Sequence, residues 1–261
     1  MKKFFAILLA GVLTVGLAAC GGSDDAATND DSNKEEITLK IGASPTPHAE
    51  ILNAAKDELA EKGIKLDIVE FTDYVQPNLA TESGDLDANY FQHTPYLEQF
   101  NKEQGTHLVA VGKVHFEPMS IYAGTVKDLK DIPAGTKVGI PNDATNGGRA
   151  LKLLESAGLI KVDPEAGYTP TKKDITENPL NLDIKEVEAA NTASLLPDVA
   201  AAVINGGHAV DNGLNPEKDS IFLESVEEGS DNPYVNIIVA RTADKDNELY
   251  KKVVDYFRTP E

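Results

Sequence analysis

The chain has 261 residues and 41% hydrophobic content, enough for one large domain or two modest lobes with a real core. Its 24 basic and 43 acidic side chains give a formal charge of −19, which argues against nucleic acid and against a polybasic membrane surface as partners.

The first 20 residues read as an address. Lys2 and Lys3 form a positive start, and Phe4–Leu17 is an apolar run of 14 residues, too short for a comfortable membrane span. The run ends in Leu17-Ala18-Ala19-Cys20, a small-residue cleavage site followed by the single cysteine of the chain. This is similar to a bacterial lipobox, which implies that Cys20 becomes the mature N-terminus and is lipidated, with palmitate among its chains. Removal of residues 1–19 takes two Lys and no acid, so the mature charge becomes 22 − 43 = −21. No cysteine remains for a disulfide, so the fold must rest on its core. Residues 20–36 then form a tether, because Gly21–Glu36 has six acids and no apolar periodicity.

Ile37–Ala43 alternates as a strand, Ser44-Pro45-Thr46-Pro47-His48 reads as a rigid turn, and a helix is expected over Ala49–Lys62. Leu66–Phe71 is a second strand, Pro77–Ser83 a helix, and Leu86–His93 leads to a helix opened by Pro95. Leu108–Val114 and Met119–Tyr122 are strands. This β-α-β-α-β order predicts a mostly parallel sheet covered by helices, with the ligand crevice off the carboxyl ends of the strands.

A second unit begins near Thr125. Its centre is Lys137–Leu154, KVGIPNDATNGGRALKLL: a short strand, a polar turn over 142–148, and a helix carrying Ala150, Leu151, Leu153 and Leu154. Strand, polar loop and helix start commonly build an anion site, because free N–H groups point at the ligand. Arg149 is placed in the first helical turn, where a cation opposes the helix dipole. It is either held off the axis by solvent or shares an anion with the helix end. Gly147 and Gly148 before it favour the second, since they admit a ligand close to the backbone. Leu182–Val187, Ala201–Asn205, Ile221–Leu223 and Asn232–Val239 are strands, Asn191–Val199 a helix broken at Pro197, and Glu248–Arg258 a final helix. Two strand-like crossovers, near 115–125 and 222–240, suggest a two-lobed clamp. The expected division is 37–124 plus 226–261 for lobe 1 and 125–225 for lobe 2.

Three groups of side chains point to chemistry. Phe71, Tyr74, Tyr90, Phe91, His93 and Tyr96 lie within 26 residues of a chain with 16 Phe and Tyr, and at strand ends they can wall an apolar ligand pocket. Asn142, Asn146, Asn205 and Asn236 end or interrupt apolar runs, and a buried amide there needs a partner such as the ammonium or carboxylate of an amino acid. His48, His93, His107, His115 and His208 show no helix-face or tight-turn pair, so no metal site is expected and His48, His107 and His115 read as structural. No catalytic motif and no cofactor fingerprint is present, which places an enzyme far behind a binding protein.

Together, GASPTPHAEIL, FTDYVQPN, DANYFQHTPYL, VGKVHFEPMSIY, IPNDATNGGRALKLLESAGLI, DITENPLNLDIKEVEAA, AAVINGG and NPYVNIIVAR resemble the methionine-binding lipoproteins of bacterial ABC importers, over about Ile37–Glu261. The resemblance implies an α/β, two-lobed periplasmic-binding-protein fold of type II with the ligand in the inter-lobe cleft. It implies a monomeric, lipid-anchored receptor outside the cytoplasm, on the outer leaflet or periplasmic face, that hands L-methionine or a related amino acid to a permease driven by an ATPase. Runner-up ligands are D-methionine, a methionine dipeptide or another apolar amino acid; a metal-binding receptor is remote. Carried over by position, Arg149 takes the ligand carboxylate, Asn205 and Asn236 hold the α-amino and α-carboxylate groups beside Asn146, and Phe71, Tyr74, Phe91, His93 and Tyr96 wall the side-chain pocket. Two departures stand out. Gly207-His208 replaces the family's usual Asn-Tyr, which alters one wall. The sequence stops at Glu261 where such chains run on for one more helix, which implies a fragment or a first lobe short of one covering helix.

Overall fold

The computed structural model describes residues 36–225 and 232–258. The leader, Cys20 and all but the last residue of the expected tether lie outside the described residues, as do 226–231. In chain order come β1 (Ile37–Ala43), α1 (Glu50–Glu61), β2 (Ile64–Glu70), α2 (Gln76–Ser83), β3 (Ala88–His93), α3 (Thr94–Gln104) and β4 (Leu108–Phe116). A second run holds β5 (Ser120–Ala123), β6 (Lys137–Pro141), α4 (Ala144–Ser156), β7 (Lys161–Val162), β8 (Ile175–Glu177), β9 (Asp183–Val187), β10 (Ala201–Ile204), α5 (Gly206–Asp211), α6 (Pro216–Asp219) and β11 (Ser220–Leu223). The chain then returns through β12 (Val235–Arg241) and α7 (Glu248–Arg258).

Two five-stranded sheets result, ordered β2-β1-β3-β12-β4 and β11-β5-β10-β6-β9. The sheets are mixed rather than mostly parallel. β1 pairs in parallel with β2 and β3, and β6 with β9 and β10, while β12 runs against β3 and β4, and β5 against β10 and β11. The odd strand in each sheet is the one entering from the other lobe. It arrives without the crossover helix that a parallel neighbour needs, so it pairs antiparallel.

Each sheet has its own core. In the first lobe Leu52, Ala55 and Leu59 of α1 pack with Leu39 and Ile41 of β1 and Leu66 of β2, and α7 adds Tyr250, Val253 and Val254. The i, i+3, i+7 spacing on α1 is the apolar stripe of a surface helix. In the second lobe Leu151 and Leu154 of α4 meet Val138 and Ile140 of β6 and Val203 of β10. Met119 and Ile121 belong to this second core, so the first crossover is only 117–119 and β5 lies in the second sheet. The segment read as a rigid turn, Ser44–His48, overlaps a short π-helical stretch at Pro45–Ala49 that the extended backbone of Thr46 interrupts, and 191–199 holds 3₁₀ turns.

Candidate ligand-binding site

A pocket lies between the two sheets. The first lobe lines it with Tyr74, Phe91, Gln92, His93, Tyr96 and Asn236, the second with Asn146, Arg149, Asn205 and Gly206, and the crossover with Glu117. Its volume is about 360 Å³ with open solvent included, at the small end of the range for small-molecule sites. The structure thus brings together eight of the expected residues. Phe71 is not among the lining residues; its ring sits over Gly42, where a Cβ would come within 3.1 Å of Phe71 Cε2. Gln92, Glu117 and Gly206 were not anticipated.

Arg149 shares an anion, but the anion is a side chain of the same molecule. α4 begins at Ala144, and Asp143 caps it by accepting from the Asn146 N–H at 2.8 Å. Arg149 therefore stands in the second turn, and the helix start is closed by its own carboxylate. Arg149 Nε and Nη2 donate to the two carboxylate oxygens of Glu224 at 2.9 and 2.5 Å, and Nη2 also donates to the Glu117 carbonyl at 2.9 Å. The guanidinium lies 4.2 Å from the Tyr234 ring centroid. Both crossovers thus hold Arg149 in place, and its Nη1 makes no hydrogen bond among the described residues. Gly147 and Gly148 serve packing: a Cβ on Gly147 would come within 2.9 Å of the Pro141 carbonyl, and one on Gly148 within 2.8 Å of the Tyr168 carbonyl.

The amides are oriented by a chain of hydrogen bonds. Asn146 Nδ2 donates to both Asp143 oxygens at 3.1 Å, which turns Asn146 Oδ1 toward Asn205 Nδ2 at 2.9 Å and, across the cleft, His93 Nε2 at 3.3 Å. That leaves Asn205 Oδ1 buried with no hydrogen bond among the described residues. His93 Nδ1 accepts from the Tyr96 N–H at the start of α3 at 3.2 Å, so Nε2 carries the proton. On the first lobe Asn236 Oδ1 pairs with His48 Nε2 at 3.0 Å, leaving its Nδ2 as a donor. Glu117 Oε1 pairs with His115 Nε2 at 3.1 Å and lies 3.1 Å from His48 Nε2. Burial alone would raise the Glu117 pKa, but the neighbouring histidines and the Gly207 N–H outweigh it and hold the carboxyl below its ordinary value. The close approach requires glycine, since a Cβ on Gly207 would come within 2.3 Å of the Thr46 carbonyl.

The apolar wall is an aromatic cluster. Tyr74 sits 5.7 Å from Phe91 and 6.1 Å from Tyr96, and the Tyr96 hydroxyl donates to the Tyr74 carbonyl at 2.9 Å. The altered position, His208, lies on α5 and stacks on Tyr74 across the cleft at 4.6 Å. The sequence pattern gives a strand over Ala201–Asn205 and no helix after it; α5 follows directly.

Burial holds three of these imidazoles neutral. It lowers the pKa of His48 and His208 and takes that of His93 down to about 3, helped there by Arg149. An unfolded chain takes up these protons near pH 6.5, the folded one at lower pH, and for His93 only near 3. Stability is therefore intact above about pH 6.5 and falls as the pH drops toward 3. Thermal unfolding between pH 7 and pH 4 should show this loss, and His93→Gln should shrink it; an equal loss in the variant would show that His93 does not carry it.

The model of the NlpA lipoprotein family matches residues 39–261. The methionine-binding lipoprotein MetQ of Bacillus subtilis is 42% identical over 98% of this chain and 91% of its own length. The D-methionine-binding lipoprotein MetQ of Escherichia coli is 41% identical over 99% of this chain and 92% of its own. Among solved structures, a nutrient binding protein from Burkholderia cenocepacia bound to methionine superposes with a TM-score of 0.79 at 41% identity, covering 85% of this chain and 92% of that one. A lipoprotein from Ruminococcus gnavus gives 0.83 at 45% identity, covering 85% and 91%. The match over the folded body, the shared two-lobed architecture and the length of the identity make the assignment plain: the chain belongs to the NlpA lipoprotein family.

Proposed function

We propose that this chain is a receptor, not an enzyme, that binds methionine between its lobes outside the cytoplasm and hands it to an ABC importer. The observation that carries the reading is the sorting of donors and acceptors in one aromatic-walled pocket. Arg149 Nη1 and Asn236 Nδ2 are donors that suit a carboxylate. Glu117 and Asn205 Oδ1 are acceptors that suit an ammonium, and a buried acceptor such as Asn205 Oδ1 calls for a partner. Tyr74, Phe91 and Tyr96 then receive the side chain. A thioether packs well against aromatic edges, whereas an ionised side chain there would lack a partner. His93 and Asn146 tie the lobes together around the ligand.

The test is a thermal-shift screen of the amino acids with both stereoisomers of methionine and divalent metals. A ligand at a thousandfold excess over its dissociation constant stabilises the folded state by about 4 kcal/mol. Methionine should give the largest shift; an equal shift with lysine or glutamate would overturn the reading. Both isomers belong in the screen because the Escherichia coli and Salmonella typhimurium relatives are named for D-methionine and the Bacillus subtilis relative for methionine.

The anchor follows from the sequence. No helix among the described residues is long and apolar enough to cross a membrane, and Cys20 supplies the attachment. We place the protein as a monomer on the outer leaflet or periplasmic face, with the permease and its ATPase as partners. Cys20→Ser should release the protein from the membrane fraction with unchanged methionine affinity. Retention of the variant in that fraction would remove the anchor.

A further inference from the structure

We propose that His48, His115 and Glu117 form a binding site for a first-row divalent metal ion, with zinc the best match, at the base of the ligand pocket. The three residues come from separate parts of the first lobe's rim: the π-turn before α1, the end of β4, and the first crossover. Their spacing in sequence hides the cluster, and folding creates it.

Geometry is the first argument. Nε2 of His48 and Nε2 of His115 each lie 3.1 Å from the same oxygen, Glu117 Oε1, and all three donor atoms fall within 4.8 Å of one another. A tetrahedral zinc with bonds of about 2.0–2.2 Å needs its donors roughly 3.3–3.6 Å apart. Two of the three separations are close to that, and only the imidazoles have to draw together. Two histidines and one glutamate are a known zinc donor set that keeps a fourth position open. Here Glu117 is itself part of the pocket lining, beside Asn236.

The surroundings of the two imidazoles are the second argument. Each ring has a hydroxyl at its other nitrogen: Ser44 Oγ stands 2.6 Å from His48 Nδ1, and the Tyr90 hydroxyl contacts His115 Nδ1. Without metal, His115 Nε2–H donates to Glu117, His48 Nε2–H donates to Asn236 Oδ1 beside Glu117 Oε1, and each hydroxyl donates to Nδ1. With metal, the proton sits on Nδ1 and the same hydroxyl turns to accept it. Loading therefore expels no proton, and the polar atom that loses its donor is Asn236 Oδ1, which lines the ligand pocket. An outer hydroxyl on the second imidazole nitrogen is also what fixes a metal-binding ring in orientation.

The site is tested by metal binding itself. The full chain in detergent micelles is titrated with zinc chloride against a chromophoric chelator, with calcium and magnesium, which prefer all-oxygen shells, as controls. Wild type should bind one zinc per chain. His115→Gln keeps a donor for Glu117 and an acceptor for Tyr90, lies outside the pocket lining, and should bind zinc at least a hundredfold more weakly with an unchanged melting temperature. His48→Gln should weaken zinc likewise. Zinc affinity unchanged in both variants, or wild-type binding only at millimolar zinc, overturns the proposal. A coupled measurement rests on the reading of Glu117 as the ammonium's partner: zinc should weaken methionine binding at least tenfold in wild type and not in His115→Gln. Zinc that binds through these residues and leaves methionine untouched would sink that role of Glu117 while the metal site stands.

Discussion

Arg149→Lys is expected to weaken methionine binding by at least about thirtyfold and keep the fold, whereas Arg149→Ala should lose both affinity and stability. The guanidinium works on two fronts. Its Nε–Nη2 edge is committed to Glu224, and Nη1 is left for the ligand. Lys keeps one charge near Glu224 but has no planar fork, so it cannot hold Glu224 and present a fixed donor to the pocket at once. Ala leaves Glu224 largely buried, with a side chain 15% exposed, and without its cation. Stranding one partner of such a pair costs about 3 kcal/mol or more. The two losses separate experimentally. Arg149→Leu combined with Glu224→Leu should regain most of the stability and none of the binding. Calorimetry with methionine and with methionine amide on wild type and Arg149→Lys closes a thermodynamic cycle. Should acid and amide lose equal affinity in the variant, Arg149 does not hold the carboxylate.

Period-two and period-3.6 patterns carry the elements, because the side chains that make them, such as Leu39 and Ile41 on β1 or Leu151 and Leu154 on α4, are buried by local geometry. The motif resemblance located eight pocket residues. The polar loop before α4 was read as an open anion site because nothing local shows that Asp143 turns back on its own helix. Glu224 was invisible for a different reason. It reaches Arg149 across 75 positions, and in a chain with 43 acids one more glutamate carries no signal. The same holds for Glu117 and for the histidine pair beside it. Phe71 was grouped with its neighbours by sequence proximity, but its ring packs over Gly42. Helix α5 was missed because its Gly206-Gly207 start reads as a turn. Those glycines answer to the other lobe: beside Gly206 stand Glu117 and the Pro118 carbonyl, and over Gly207 the Thr46 carbonyl.

Glu117→Gln is expected to produce a comparable loss of affinity, on the order of 2–5 kcal/mol, with a different chemical signature. Glu117 is the only acid that lines the pocket among the described residues, and its carboxyl is held below its ordinary pKa, so it is ionised when the ligand arrives. A charged acceptor in such a place bonds an ammonium far more strongly than a neutral amide does. Gln has nearly the same shape and can still accept from one histidine, so packing between the lobes should survive and melting temperature without ligand should change little. The ligand that reports the difference is the hydroxy acid analogue of methionine, which keeps carboxylate and thioether and replaces the ammonium with a hydroxyl. Wild type should prefer methionine to this analogue strongly. In Glu117→Gln the preference should shrink, because methionine loses its charged partner while the analogue loses one hydrogen bond. Arg149→Lys should leave that preference nearly unchanged, since it acts at the other end of the amino acid. If instead Glu117→Gln weakens both ligands equally, Glu117 serves only the histidines and the Gly207 amide, and the ammonium must be placed on Asn205 Oδ1 alone.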